Sequence, residues 1–199
     1  MERAVYKPLP MAKMAPGVTC QAPGNYAPKP VKADAPAIEA MTDLRHVAAA
    51  TIRADATLAH ANQVMIARGV RLLIVVGAGR LVEGLITAGD TLSERPINLL
   101  RERGGKHGEL TVADLMLPRS AIDVLDIGTV LRSEVGHILA TLRETGRQHA
   151  LVMDKDQLTG EQVVRGIFSV TQIGRQLGVP IFGFEVANTF AEIEAELAK

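Results

Sequence analysis

Tryptophan is absent from this 199-residue chain, the four phenylalanines and two tyrosines are its only other aromatics of that kind, and cysteine occurs once, at Cys20. One cysteine cannot close an intramolecular disulfide, and a lone thiol with no base held beside it is not an activated nucleophile. Charge is balanced, 22 Lys plus Arg against 22 Asp plus Glu, so neither a basic field nor an aromatic stacking platform invites nucleic acid. No N-terminal apolar stretch reaches the length of a signal peptide or a membrane span. A reducing cytoplasm is the expected compartment, with no membrane partner. The five histidines, at 46, 60, 107, 137 and 149, show no H-E-x-x-H or comparable ligand spacing, and there is no G-x-S-x-G turn. Neither catalysis nor a metal site is expected. What the chain does have is 47% hydrophobic residues, material for one core of ordinary size.

Proline is concentrated at one end. Seven of the ten (8, 10, 16, 23, 28, 30 and 36) precede residue 40, where few branched apolar residues offset the entropy of ordering the chain. Residues 1–37 therefore read as an extended tail. Within it YKPLP (6–10) and YAPKP (26–30) share Y-x-P-x-P and contain both tyrosines, Tyr6 and Tyr26. Such a pair can dock a protein partner with avidity, or can arise by chance in so proline-rich a stretch. At the other end, Phe190, Ile193 and Leu197 fall at i, i+3 and i+7 on a predicted helix capped by Asn188 or Thr189. That stripe covers either the chain's own core or a partner.

Between these ends the sequence repeats with a shift of 77 residues. DATLAHANQVMIARG (55–69) pairs with RSEVGHILATLRETG (132–146), setting Leu58 on Val135, Ala61 on Ile138, Met65 on Leu142 and Gly69 on Gly146. The spacing predicts two amphipathic helices, each stopped by glycine. Short apolar strands come next, at 72–76 and 150–153. After a connection five residues longer in the second copy, GLITAGD (84–90) meets GIFSVTQ (166–172). Each copy thus reads as helix, strand, turn, strand and the start of a helix.

Two glycine-rich stretches invite nucleotide readings that fail on spacing. RLLIVVGAGRLVEGL places Gly77 and Gly79 as the first two glycines of G-x-G-x-x-G, but the third position is Val82, and the apolar run from Leu81 to Thr87 has the pattern of a strand rather than a helix. Residues 77–79 are better read as a hairpin turn in which both glycines supply positive φ. RERGGKHGEL (101–110) lacks the leading glycine of a P-loop and carries His107 where Ser or Thr must hold magnesium. It reads as a flexible linker, with Arg101, Arg103 or Lys106 reaching a bound phosphate as the sharper alternative.

The order of elements and the repeated strand endings resemble the CBS domain, named after cystathionine β-synthase and normally found as a tandem pair. The resemblance covers about residues 38–178. It is most specific where the strand from Gly84 ends in Thr87-x-x-Asp90, similar to the family's ribose and phosphate motif, with LTVADLM (110–116) similar to the leading segment of a second copy. The implied fold is mixed α/β: two repeats, each a small sheet packed with helices, forming one pseudo-twofold module behind the tail. The implied boundaries are 38–96 and 110–178, joined by a linker at 97–109 and followed by a tail at 179–199. The resemblance further implies a regulatory, non-catalytic protein and a homodimer. AMP, ADP or ATP is its expected regulatory ligand, with no obligatory cofactor.

The candidate nucleotide-binding residues are Arg71, Leu72, Thr87, Asp90, His149, Ser169 and Gln172. A hydroxyl from Thr87, a carboxylate from Asp90 and backbone N–H groups at a helix start suit ribose and phosphate, whereas the simpler reading makes Asp90 the N-cap of its helix. In the second copy Ser169 keeps the hydroxyl but Gln172 replaces the acid, which removes a charge-assisted contact and predicts a weaker or empty site. His149, aligned with Leu72, either faces the cleft or is a partly exposed strand residue. A different class of function also fits: a ligand-free dimeric adaptor docking a partner through its tails.

Overall fold

The computed structural model describes residues 29–179 together with Ala191 and Ile193. The paired Y-x-P-x-P motif at Tyr6 and Tyr26 lies outside them, as do Phe190 and Leu197 of the C-terminal stripe. Among the described residues there are eight strands, β1 (Thr42–Asp43), β2 (Thr51–Ile52), β3 (Leu72–Val76), β4 (Val82–Thr87), β5 (Leu117–Pro118), β6 (Val124–Asp126), β7 (His149–Lys155) and β8 (Gln162–Ser169). The α-helices named among residues 29–179 are α1 (Leu58–Arg68), α2 (Ala88–Leu92), α3 (Arg95–Arg103), α4 (Val112–Leu115), α5 (Ile127–Val130), α6 (Val135–Glu144) and α7 (Val170–Gln176).

Helices α1 and α6 form where the 3.6-residue spacing places them. Leu58, Ala61 and Met65 of the first are buried, as are Val135, Ile138 and Leu142 of the second. Thr57 caps α1 by accepting from His60 N at 3.2 Å. Left-handed glycines, Gly69 at φ 62° and Gly146 at φ 64°, end the two helices, a conformation that costs glycine little. Each helix leads into the first strand of a hairpin, β3 to β4 and β7 to β8, both antiparallel. Both hairpins carry a register shift at the equivalent point, between Val75 and Val76 and between Val152 and Met153.

The glycine-rich turn does close a hairpin, but one glycine has another role. Gly79 and Arg80 take the left-handed conformation, at φ 64° and 63°, whereas Gly77 has φ −99°. A Cβ at Gly77 would meet the Glu83 carboxylate, so close approach rather than positive φ is what glycine relieves there.

The strands assemble into two sheets, ordered β2-β3-β4-β5 and β1-β8-β7-β6. Strand β1 therefore belongs to the second hairpin and β5 to the first: each repeat lends its leading segment to the other. The two exchanges match closely. Val112 N donates to Ala56 O at 2.8 Å in one, and Ala37 N to Ser133 O at 2.8 Å in the other. The end of the proline-rich segment is thus packed rather than free. Val31 and Ala37 are buried in the second core, where Val31 N also bonds Gln176 O.

Side chains alternate along the strands and so supply two layers. Leu73 and Val75 join Met65, Ile86 and Val112 in the first helical core, while Leu72, Ile74 and Leu85 turn the other way and meet Leu151 between the sheets. Burial on both faces accounts for the unbroken LLIVV run, and each fully buried leucine or isoleucine contributes about 1.5–3 kcal/mol. The second core gathers Leu142, Val152, Phe168 and Ile173, and Ile193 is buried in it. The one described apolar member of the C-terminal stripe therefore covers the chain's own core.

The linker is more structured than its glycines suggest. Helix α3 crosses the boundary drawn at 96–97 and takes in Arg101 and Arg103, with left-handed Gly104 and Gly105 following it. No helix among the described residues is long and apolar enough to cross a membrane.

Candidate functional site

Strand β3 opens with Leu72 paired to Thr87, the last residue of β4, and Ala88 N bonds back to Arg71 O at 3.0 Å. The second half repeats this: His149 pairs with Ser169, and Val170 N bonds Gln148 O at 3.0 Å. The strand ends of the two halves converge on a cleft of about 890 Å³. Arg71, Leu72, Thr87 and Asp90 line it from the first half and Arg147 and His149 from the second, with Leu85, Leu92, Arg95 and Leu117 completing the walls. Five of the seven residues singled out from the sequence meet there. Ser169 and Gln172 do not line this cleft.

The Thr87 corner is a reciprocal capping box. Asp90 Oδ2 accepts from Thr87 N at 2.9 Å and from Thr87 Oγ1 at 2.6 Å, and Asp90 N donates to Thr87 Oγ1 at 3.3 Å. The N-cap is therefore Thr87, not Asp90, which stands at the third helical position. The carboxylate's second oxygen, Oδ1, accepts from Arg95 Nη1 at 2.5 Å. At the equivalent corner Ser169 is the N-cap of α7 but its side chain makes no capping bond.

The cationic side of the cleft is built from Arg71, Arg95 and Arg147. Burial, and then the charge of Arg175, lower the Arg71 pKa from the usual guanidinium value, although a guanidinium remains charged in a protein. Arg147 Nη2 is held at 3.3 Å from the exposed Asp123 carboxylate. Burial, reinforced by Arg71, brings half-buried His149 down to about 4. Its imidazole is neutral at neutral pH, with one nitrogen able to accept a hydrogen bond.

None of the three linker cations considered for phosphate contact lines the cleft. Arg103 instead pairs with Asp114 at 2.9 Å. The arginines that do line it beyond Arg71, namely Arg95 and Arg147, carry no signal in the sequence. Arg95 stands five residues after Asp90 of the Thr-x-x-Asp motif, and Arg147 precedes its strand directly after a helix-terminating glycine; only the folded hairpins bring them together.

Residues 27–96 match the CBS domain family. No curated protein matches the chain. Similar solved structures include an uncharacterized conserved protein from Pyrococcus horikoshii, 17% identical, with 77% of this chain and 99% of that one covered and a TM-score of 0.54. Another is CBSX2, a CBS-pair protein of Arabidopsis thaliana, in complex with AMP: 19% identical, 71% and 94% covered, TM-score 0.50. A third is a CBS-domain-containing protein of Agrobacterium tumefaciens, 16% identical, 67% and 88% covered, TM-score 0.50. At such identities the likeness is one of fold. Residues 27–96 thus carry a CBS domain, and the second repeat, built on the same frame of hairpin, flanking helices and exchanged leading segment, gives the chain the fold of a CBS pair.

Proposed function

We propose that this protein is a regulatory module that binds an adenosine nucleotide, AMP, ADP or ATP, in the cleft between its halves and signals occupancy as a homodimer or through a protein partner. One observation carries the reading: the cleft of about 890 Å³ joins a Thr87–Asp90 corner to Arg71, Arg147 and His149 across the two halves. A carboxylate accepts from ribose hydroxyls, guanidinium groups suit phosphate, and Leu72, Leu85 and Leu92 offer apolar surface to a base. The AMP complex of CBSX2 supports this choice of ligand. Binding asks no covalent step of these residues, which fits a sensor rather than an enzyme, working in the cytoplasm. The Gln172 corner, without a carboxylate, is the weaker of the two.

A thermal-shift series with AMP, ADP, ATP and S-adenosylmethionine tests the proposal. A ligand at about 100 times its dissociation constant stabilises the fold by about 2.7 kcal/mol. Asp90→Asn should then weaken binding by about 1–2 kcal/mol with a stability loss under about 1 kcal/mol, since an amide oxygen can still accept from Thr87 but supplies no charge and the exposed Arg95 pair is lost. The second reading, a ligand-free adaptor, is favoured by the engagement of both Asp90 oxygens with Thr87 and Arg95. No shift with any of the four compounds would leave that reading in possession.

A further inference from the structure

Helix α3 is fastened at both ends by anchors of one design. Arg95 Nη1 donates to Asp90 Oδ1 at 2.5 Å at its start, and Arg103 Nη1 donates to Asp114 Oδ1 at 2.9 Å at its end. Both aspartates stand in Thr-x-x-Asp boxes: Asp114 Oδ2 accepts from Thr111 N and Oγ1, each at 2.9 Å, as Asp90 Oδ2 does from Thr87. In each case the box uses Oδ2 and presents Oδ1 to an arginine of α3. Between the anchors, Pro96 is buried and Leu99 and Leu100 pack against the first core. Among the described residues α3 has no counterpart in the second half.

The anchors differ in one respect. Asp90 lines the cleft and Asp114 does not. A ribose hydroxyl that donates to Asp90 therefore meets an oxygen already held by Arg95. The arginine side chain is 55% exposed, so its ion pair is weak enough to be displaced by a ligand that brings its own contacts. We propose that Arg95 is a built-in competitor for the Asp90 carboxylate, and that occupancy of the cleft is passed to α3 by loss of its first anchor while Arg103 holds the second. The inference rests on the cleft being a nucleoside site. Ile97, exposed on α3 two residues after Arg95, is the apolar surface that shifts when the anchor is lost.

The test uses the full chain, with calorimetric titration of adenosine and of AMP into wild type, Arg95→Ala and Arg103→Ala, and hydrogen exchange across α3 with and without AMP. Arg95→Ala should tighten adenosine and AMP alike by about two- to fivefold, the strength of a part-exposed ion pair, while Arg103→Ala leaves both unchanged. AMP should speed exchange of the first α3 amides in wild type, and in Arg95→Ala those amides should already exchange fast without it. Unchanged affinities in Arg95→Ala would overturn the proposal. So would a loss for AMP with none for adenosine, which would make Arg95 a phosphate contact. If no form of the folded protein binds adenosine or AMP, the nucleoside reading itself fails and takes this one with it, a result distinct from binding that Arg95 does not affect.

Discussion

Leu72 and His149 open equivalent strands, Thr87 and Ser169 close their partners, and Asp90 and Gln172 stand three residues further on in each half. Around these divergent positions the two halves agree in detail. The left-handed glycines after α1 and α6 match, as do the register shifts in the two hairpins. Gly84 and Gly166 match as well: a Cβ at Gly84 would meet Leu117 O and Met116 Sδ, and one at Gly166 would meet the Met41 side chain. Backbone constraints that any copy of this frame must satisfy are kept in both halves. The polar groups at the strand ends differ: Thr87 and Asp90 form a capping box, the Ser169 side chain makes no capping bond, and of positions 90 and 172 only the first holds a carboxylate.

The comparison breaks most severely in the cores. Met65→Asp and Leu142→Asp place an unpaired charge at equivalent buried positions, and each should cost more than about 4 kcal/mol and abolish cooperative unfolding. Circular dichroism melts of the two variants check this. Cooperative folding in one but not the other would show that the halves do not share stability as they share a plan.

A smaller effect separates His149 from Leu72. Because His149 is held at about 4 in the folded state against 6.5 unfolded, the unfolded chain binds the extra proton between these values. Stability from the neutral imidazole is fully present above pH 6.5 and is lost as pH falls to about 4, by about 2–3 kcal/mol across the window. Denaturant midpoints at a series of pH values should show a slope in wild type that His149→Leu removes. Asp43, Asp114 and Asp156, whose pKa values are lowered, act below that window, where their stabilisation is lost in both proteins as pH falls through their folded values.

The smallest effect sharpens the comparison at the glycines. Gly84→Ala should cost about 2 kcal/mol, because the atom it meets at 2.5 Å is the Leu117 backbone carbonyl oxygen, whereas Gly166→Ala should cost under about 1 kcal/mol, because the Met41 side chain can turn aside. Paired thermal melts would reveal equal losses if the seats were equally rigid.

Much of this frame is legible in the sequence because it is local. The i, i+3, i+7 spacing of Leu58, Ala61 and Met65, the glycines that end the helices and the apolar strands are read within windows of a dozen residues, and the 77-residue shift doubles every signal. Thr87 and Asp90 are legible for the same reason. The exchange of leading segments is not, since β1 and β5 are two residues long and their partners lie about 120 and 30 residues away. Arg95 and Arg147 enter the cleft from outside any motif. The division of labour in the capping box also escapes, because Thr-x-x-Asp allows either residue to cap until the backbone of Thr87 is seen to be extended.

The exchanged segments have a consequence for ancestry. A chain with one repeat could fill the groove beside its own β4 only with a segment from a second molecule, and would offer its own in return. Two such molecules would form a domain-swapped pair with the contacts seen here between halves. Joining them end to end converts that pair into a single chain without altering either core, and once the two copies are covalently one, mutation can act on each strand-end corner separately, leaving an acid at position 90 and an amide at position 172.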